Sequence, residues 1–144
     1  MTSTSETGED TVEGFLARIT QAWNTADAAA YAREFTEEAT YVIFLGEALL
    51  GREQIESTHV DVLTKWQRGT KMIIHPVAVT MLDDNVASVL TIGGIGTGEA
   101  RAYDKYQTLT LVRRDGRWQC AAFQNTEMSE RAQHHHREAL GVRP

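Results

Sequence analysis

One cysteine in 144 residues, Cys120, leaves no internal disulfide to form. The opening MTSTSETGED has neither the basic start nor the apolar core of a secretory signal, and with a lone thiol the chain is expected in a reducing cytoplasm. No apolar run is long enough to cross a bilayer as a helix. Nor is there a surplus of positive charge: 14 Lys and Arg against 20 Asp and Glu give a net charge of -6. Such a surface repels phosphate backbones, so neither nucleic acid nor a membrane is an expected partner. The only tight basic group, Arg113, Arg114 and Arg117, flanks an Asp-Gly turn and reads as a solvated hairpin.

What is present suffices for one self-supporting core, since a domain of this size can bury about 68–70% of the surface its unfolded chain exposes. Residues 1–9 are polar, acidic and aperiodic, and read as a disordered arm before a single domain over residues 10–127. A charged tail with a short surface helix follows over residues 128–144. Asp10 and Glu13 predict an approximate capping box, and Val12, Phe15, Leu16, Ile19, Ala22 and Trp23 share one face of the helix behind it. Residues 24–27 break that helix. Asp27 suits the cap of a short second one, whose buried side carries Tyr31 and Phe35. β-Branched and aromatic residues over 39–45 predict a strand, followed by a loop with Gly46 and Gly51. Residues 52–68 return to helical spacing, with Ile55, His59, Val62, Leu63 and Trp66 on one stripe and Gly69 at the left-handed C-terminal position. Strands are expected over 71–82, 86–95, 102–113 and 117–126, turning at Asp83-Asp84-Asn85 and at Asp115-Gly116. Helices first and strands afterwards, without βαβ alternation, predict an α+β domain with helices on one face of an antiparallel sheet.

Three strings, AWNTADAAAYAREFTEEATYV at 22–42, GREQI at 51–55 and DGRWQCAAFQNT at 115–126, are similar in order and spacing to the SnoaL-like group of the nuclear transport factor 2 superfamily. Within it the chain resembles the SgcJ/EcaC subgroup, over about residues 11–127. The resemblance implies a cone-shaped, strongly curved sheet wrapped around N-terminal helices, a pocket at its open end and a homodimer through the outer sheet face. It implies a cytoplasmic accessory protein of polyketide or enediyne antibiotic biosynthesis, with a hydrophobic small-molecule ligand and a polyketide synthase as partners. Such a protein acts as a cyclase, isomerase or dehydratase-like enzyme, or as a non-catalytic ligand-binding or synthase-interacting module. The fold does not select among these, so function rests on the site.

Residues on a strand alternate faces. The superfamily pattern turns Ala121, Phe123 and Asn125 inward and Trp118, Cys120, Ala122 and Gln124 outward, with Trp118 and Cys120 at the dimer contact; alternation alone permits the reverse. Asn125 then faces the pocket mouth, able to donate to a ligand carbonyl or to satisfy a backbone group. His59 faces the sheet from its apolar stripe, either as an imidazole exchanging protons near neutral pH or as a core histidine bonded to a carbonyl. Trp23, Phe35, Tyr41, Trp66 and Phe123 converge on a cavity suited to a flat or polyunsaturated ligand, although Trp23 and Phe35, deep on helix faces, read rather as ordinary core, and Tyr41 and Trp66 suit the lining better. Gln107 and Tyr103 share the parity of Leu109 and Leu111 as wall residues, while Asp104 falls on the other. The chemistry expected is proton transfer by His59, with Tyr41 and Asn125 polarising an oxygen.

In the ketosteroid isomerase relatives a carboxylate base lies on the first strand, with a tyrosine and a protonated acid as oxyanion partners. Matched through NTAD and EEATYV, those positions are here Ile43, Ile19, and Leu109 or Thr110, none of which can ionise, so Ile43 reads as pocket lining. GGIGTG at 93–98 fails the dinucleotide-loop spacing and precedes a strand, so it reads as a flexible hairpin and no cofactor is expected. His75, beside Pro76, reads as an edge or bulge position of ambiguous face. His134, His135 and His136 are consecutive and diverge by about 100° on a helix, so no metal is expected. Cys120, among apolar neighbours, reads as a small filler.

Overall fold

The computed structural model describes residues 10–97 and 103–140. Its first helix, α1 at Val12–Asn24, buries Val12, Phe15, Leu16, Ile19, Ala22 and Trp23, the face the spacing predicts. The cap is different. Thr11 is the N-cap, its Oγ1 accepting from the Gly14 N–H at 2.9 Å. Asp10 instead accepts two hydrogen bonds from Arg18, at 2.8 and 3.0 Å, and a third from the Trp118 N–H at 2.9 Å, which ties the start of α1 to the last strand. The arm expected over 1–9 lies outside the described residues.

Asp27 caps α2, Ala28–Arg33, by accepting from the Ala30 N–H at 3.0 Å. Tyr31 is buried in α2, but Phe35 is already the first residue of β1, Phe35–Ile43. Gly46, at φ 89°, turns β1 into β2, Glu47–Leu50, where a loop was expected. Helix α3, Arg52–Asp61, runs into a π-helical turn over Val62–Trp66, closed by the Gln67 N–H on the Val62 carbonyl at 2.7 Å. That wider turn breaks the 3.6-residue stripe: Ile55, His59 and Leu63 are buried, while Trp66 swings out to 67% exposure.

The rest is sheet: β3, Lys71–Asp83, β4, Val86–Gly96, β5, Lys105–Arg114, and β6, Arg117–Glu127. Six strands lie in the order β2-β1-β6-β5-β4-β3, antiparallel throughout except for a parallel β1–β6 pairing. Asp115 at φ 54° and Gly116 at φ 76° make the β5–β6 turn the primed type that suits strand twist. Gly93, Gly94 and Gly96 belong to β4 and not to a hairpin; Gly98 lies outside the described residues. A Cβ on Gly93 would run into the Ile73 carbonyl of the neighbouring strand, so a close strand approach explains the glycine there. A last helix, α4, spans Glu130–Leu140.

A bulge in β6 overturns the expected strand phase. Thr110 pairs with Ala122 but Leu111 with Cys120, so Ala121 is an extra residue that resets the alternation. Phe123 and Asn125 face the concave side as expected, yet Trp118 and Cys120 do too, at 3% and 0% exposure. Both belong to the core, which removes them as a dimer contact. The basic group is also engaged: Arg113 lies 5.4 Å over the Trp118 ring, and Arg117 meets Glu34 at 2.7 Å.

Arg18 bridges the carboxylates of Asp10 and Glu34, at 2.8 and 2.9 Å, and donates to the Trp118 carbonyl at 3.0 Å. Burial alone would raise the Asp10 carboxyl, but the bonds from Arg18 and the Trp118 N–H outweigh it and hold the group below its ordinary 3.8. A carboxyl depressed on folding contributes stability above its unfolded pKa of about 3.9, lost as pH falls through the folded value. Asp10→Ala is expected to lower unfolding stability by about 1–2 kcal/mol at neutral pH, the modest end for charge-assisted bonds because the site is partly open to water. Denaturant titrations are expected to show the gap from wild type narrowing below about pH 4.

Candidate functional site

Two cross-strand rows place side chains on the concave face. Tyr41, Phe123, Leu109 and Val89 pair in one row across β1, β6, β5 and β4, and Asn125, Gln107 and Thr91 in the next. Between these rows, α1 and α3 lies a cavity of about 630 Å³, within the range of small-molecule sites. A second, shallower groove of about 820 Å³ runs between α1 and β3. Among the described residues its only charged ones are Glu13 and Lys71, and Lys71 is bonded to the Asn24 carbonyl at 2.8 Å.

His59, Tyr41, Asn125, Trp23, Ile43, Gln107 and Phe123 all line the cavity, and Trp66 stands at its rim. Two expected lining residues do not. Phe35 is fully buried behind the wall, with ring centroids 5.4 Å from Tyr41 and 6.3 Å from Phe123. Tyr103 precedes β5, which begins at Lys105, so alternation counted from Leu109 does not reach it. Ile19 and Ile43, the residues matched through NTAD and EEATYV to ionisable groups of the ketosteroid isomerases, both line the cavity.

The polar groups fall into two directed chains. His59 Nδ1 lies 2.7 Å from the Ile55 carbonyl and must carry the hydrogen, which leaves Nε2 as acceptor for the Tyr41 hydroxyl at 3.2 Å. Tyr41 then accepts from the Tyr31 hydroxyl at 2.8 Å, so the polarity runs Tyr31 to Tyr41 to His59 to Ile55. Burial lowers the His59 pKa, partly opposed by the Ile55 bond, and keeps the imidazole neutral; burial also raises both tyrosines. On the sheet side, the Thr91 hydroxyl meets Gln107 Oε1 at 2.7 Å and Gln107 Nε2 meets Asn125 Oδ1 at 3.1 Å.

Lys105, which reasoning from sequence passed over, also lines the cavity, held 3.1 Å from Asp104 Oδ1 and 4.6 Å over the Phe44 ring. Its shared parity with Gln107 was the available signal. Tyr31 was missed as a polar group because only tertiary packing brings its hydroxyl to Tyr41. Phe44 and Leu45, exposed at the β1–β2 turn, form an apolar rim with Trp66, and Glu47 is the only carboxylate on the lining among the described residues. His75 is exposed on β3, and burial pushes the Cys120 thiol up to about 12. Among the described residues no group of three His, Cys, Asp or Glu could hold a metal ion, and no helix is long and apolar enough to cross a membrane.

Residues 8–129 match the family model of the calcium/calmodulin dependent protein kinase II association domain. The chain belongs to that family. Solved structures with its fold include a cystatin-like domain of unknown function from Nostoc punctiforme, at 20% identity and a TM-score of 0.76, covering 99% of this chain and 90% of that one. A putative association domain of the same family from Thiobacillus denitrificans aligns at 11% identity and a TM-score of 0.72, covering 83% and 96%. An NTF-2-like protein of unknown function from Shewanella oneidensis aligns at 16% identity and a TM-score of 0.70, covering 81% and 96%. No curated protein matches the chain. At these identities the structures show a shared NTF-2-like, cystatin-like α+β fold, with N-terminal helices on a curved, unclosed sheet.

A histidine whose pKa falls on folding leaves the native state fully stable above its unfolded value of about 6.5 and less stable as pH drops toward the folded value. Denaturation midpoints are therefore expected to fall more steeply in wild type than in His59→Gln between about pH 7 and about pH 5. Tyr41→Phe strands both Tyr31 and His59 Nε2, and a loss of about 1–3 kcal/mol at neutral pH is expected in the same titration.

Proposed function

We propose that the protein binds a flat, largely apolar, oxygen-bearing molecule in this cavity and moves a proton on it, as a cyclase, isomerase or dehydratase-like enzyme of polyketide metabolism. The observation that carries the reading is the Tyr31–Tyr41–His59 chain ending on the wall of an aromatic cavity. The polyketide and enediyne context is supported by the three strings that resemble the SgcJ/EcaC subgroup.

In the proposed step a substrate proton passes to the Tyr41 oxygen as the Tyr41 hydrogen passes to His59 Nε2. The concerted shift avoids a free tyrosinate, which burial disfavours. The electron pair left on the substrate moves onto its oxygen, toward the Asn125 amide. Return of the proton to another carbon is isomerisation; its return to a departing hydroxyl is loss of water. The imidazolium formed is stabilised through Nδ1–H by the Ile55 carbonyl. No carboxylate base is required. The test is exchange of the α-hydrogens of 2-acetylnaphthalene with deuterated solvent, followed by NMR. His59→Gln is expected to slow exchange by about 10²- to 10⁴-fold with affinity little changed. Exchange by the variant at the wild-type rate would sink the catalytic role. Ketone binding without exchange in wild type would support the alternative, a non-catalytic binding or synthase-interacting module.

A second reading concerns assembly, and the family's description as an association domain points the same way. The strand β3, last in the sheet order among the described residues, carries Val77, Val79, Met81 and Leu82, all more than 40% exposed. Such an edge is a template for pairing, and the proposed occupant is a second copy of this chain. Sedimentation is expected to show a dimer at micromolar concentration and a monomer for Met81→Lys.

A further inference from the structure

The proposed step uses only the Asn125 end of the amide chain on the sheet side of the cavity and leaves Thr91 and Gln107 without a role. Thr91 is fully buried, so its hydroxyl hydrogen must find a protein acceptor. Gln107 Oε1 lies 2.7 Å away and the Gln107 backbone carbonyl 3.5 Å, so the side-chain oxygen takes it. Once Oε1 faces Thr91, Nε2 faces the other way, 3.1 Å from Asn125 Oδ1. Asn125 thus has its oxygen committed to Gln107, and its NH₂ engages no protein group among the described residues. The three residues are direct cross-strand neighbours on β4, β5 and β6, so sheet register holds them in line. Gly93 leaves the space the chain needs, since a Cβ there would stand 3.2 Å from Gln107 Oε1.

We propose that Thr91 and Gln107 are positioning residues that lock Asn125 with its NH₂ toward the cavity, making the β5–β6 wall a neutral donor pole selective for a ligand carbonyl. This deepens the small-molecule reading of the cavity and rests on it. A neutral carbonyl fits better than a carboxylate. The one cation on the lining among the described residues, Lys105, already has Asp104 at 3.1 Å, and Glu47 shares the lining. An anionic ligand would therefore add charge to a region with no uncommitted positive group beside it among the described residues. A hydroxyl-only ligand would use a single donor–acceptor contact less well, because the pole offers hydrogens and no lone pair.

The test compares three probes of one shape, 2-acetylnaphthalene, 2-ethylnaphthalene and 2-naphthol, titrated against the full-length protein by fluorescence or calorimetry. Wild type is expected to bind the ketone at least about tenfold tighter than the ethyl compound, as a buried donor left unmatched would dictate. Asn125→Leu is expected to bring that ratio near one while keeping ethyl binding. Gln107→Glu is the sharper variant: its carboxylate accepts from Thr91 but has no hydrogen for Asn125, so Asn125 turns its NH₂ to Glu and presents Oδ1 to the cavity. The preference is then expected to invert toward 2-naphthol, a change that a merely structural Gln107 would not produce. Thr91→Val, nearly isosteric, releases Gln107 and is expected to lower the ketone-to-ethyl ratio should the Glu variant fail to fold. Equal binding of ketone and ethyl compound in wild type would overturn the donor pole and leave the cavity reading standing. A ratio unmoved by Gln107→Glu and Thr91→Val would overturn the positioning role. Binding of none of the three would overturn both readings.

Discussion

The extra residue at Ala121 decides what the concave face contains. Without it, strict alternation along β6 would force a choice between Trp118 and Cys120 on one face and Phe123 and Asn125 on the other. With it, the strand sends both sets inward: the first pair closes the core under α1, and the second opens onto the cavity. The two halves of the strand therefore carry separate tasks. At the turn end, Arg18, Asp10 and the Trp118 backbone fasten α1 to β6. At the far end, Phe123 stacks on Tyr41 at 4.4 Å and Asn125 completes an amide row.

That division accounts for where polar groups are tolerated inside the domain. A buried polar atom without a partner costs about 1–3 kcal/mol, and Tyr31, Tyr41, His59, Thr91 and Gln107 avoid that cost by joining two hydrogen-bonded chains beside the cavity. The helix-side chain ends at the Ile55 carbonyl and the sheet-side chain begins at Thr91. Polarity in such chains is not free: fixing one hydrogen fixes the next. The His59 tautomer follows from a backbone carbonyl, and the Asn125 orientation follows from a threonine two strands away. Neutral groups with fixed direction suit a low-dielectric site better than carboxylates, whose desolvation would have to be offset by further partners.

How much of this was legible from sequence depended on whether local pattern or tertiary geometry decided the outcome. The buried face of α1 was legible because six apolar residues at helical spacing leave one solution, and the β5–β6 turn was legible because Asp-Gly accepts positive φ. The burial of His59 followed from its stripe. Trp66, one turn further, did not, because the π-helical turn changes the period without a residue that announces it. The bulge is equally silent, since Ala121 has nothing in its type to mark it. Thr11 displaced Asp10 as the cap only because Arg18 and the Trp118 N–H compete for Asp10, and Trp118 lies 108 positions away. Cavity lining could be guessed residue by residue, yet Lys105 and Tyr31 needed the fold to bring their polar ends to the site.

The cavity also constrains its own rim. At about 24 cal/mol per Å³, a sealed and dry void of the cavity's size would cost roughly 15 kcal/mol, as much as the whole stability of an ordinary domain. The fold can hold such a volume only if it opens to solvent, and it opens past Trp66, Phe44 and Leu45. Three large apolar side chains exposed at one mouth are unfavourable in isolation and become favourable when something apolar covers them. The π-helical turn that lifts Trp66 off the core stripe and the tight turn at Gly46 that presents Phe44 and Leu45 are thus parts of one feature. Each gives up burial in the free chain, and a ligand reaching the mouth restores it, so occupancy should couple directly to stability.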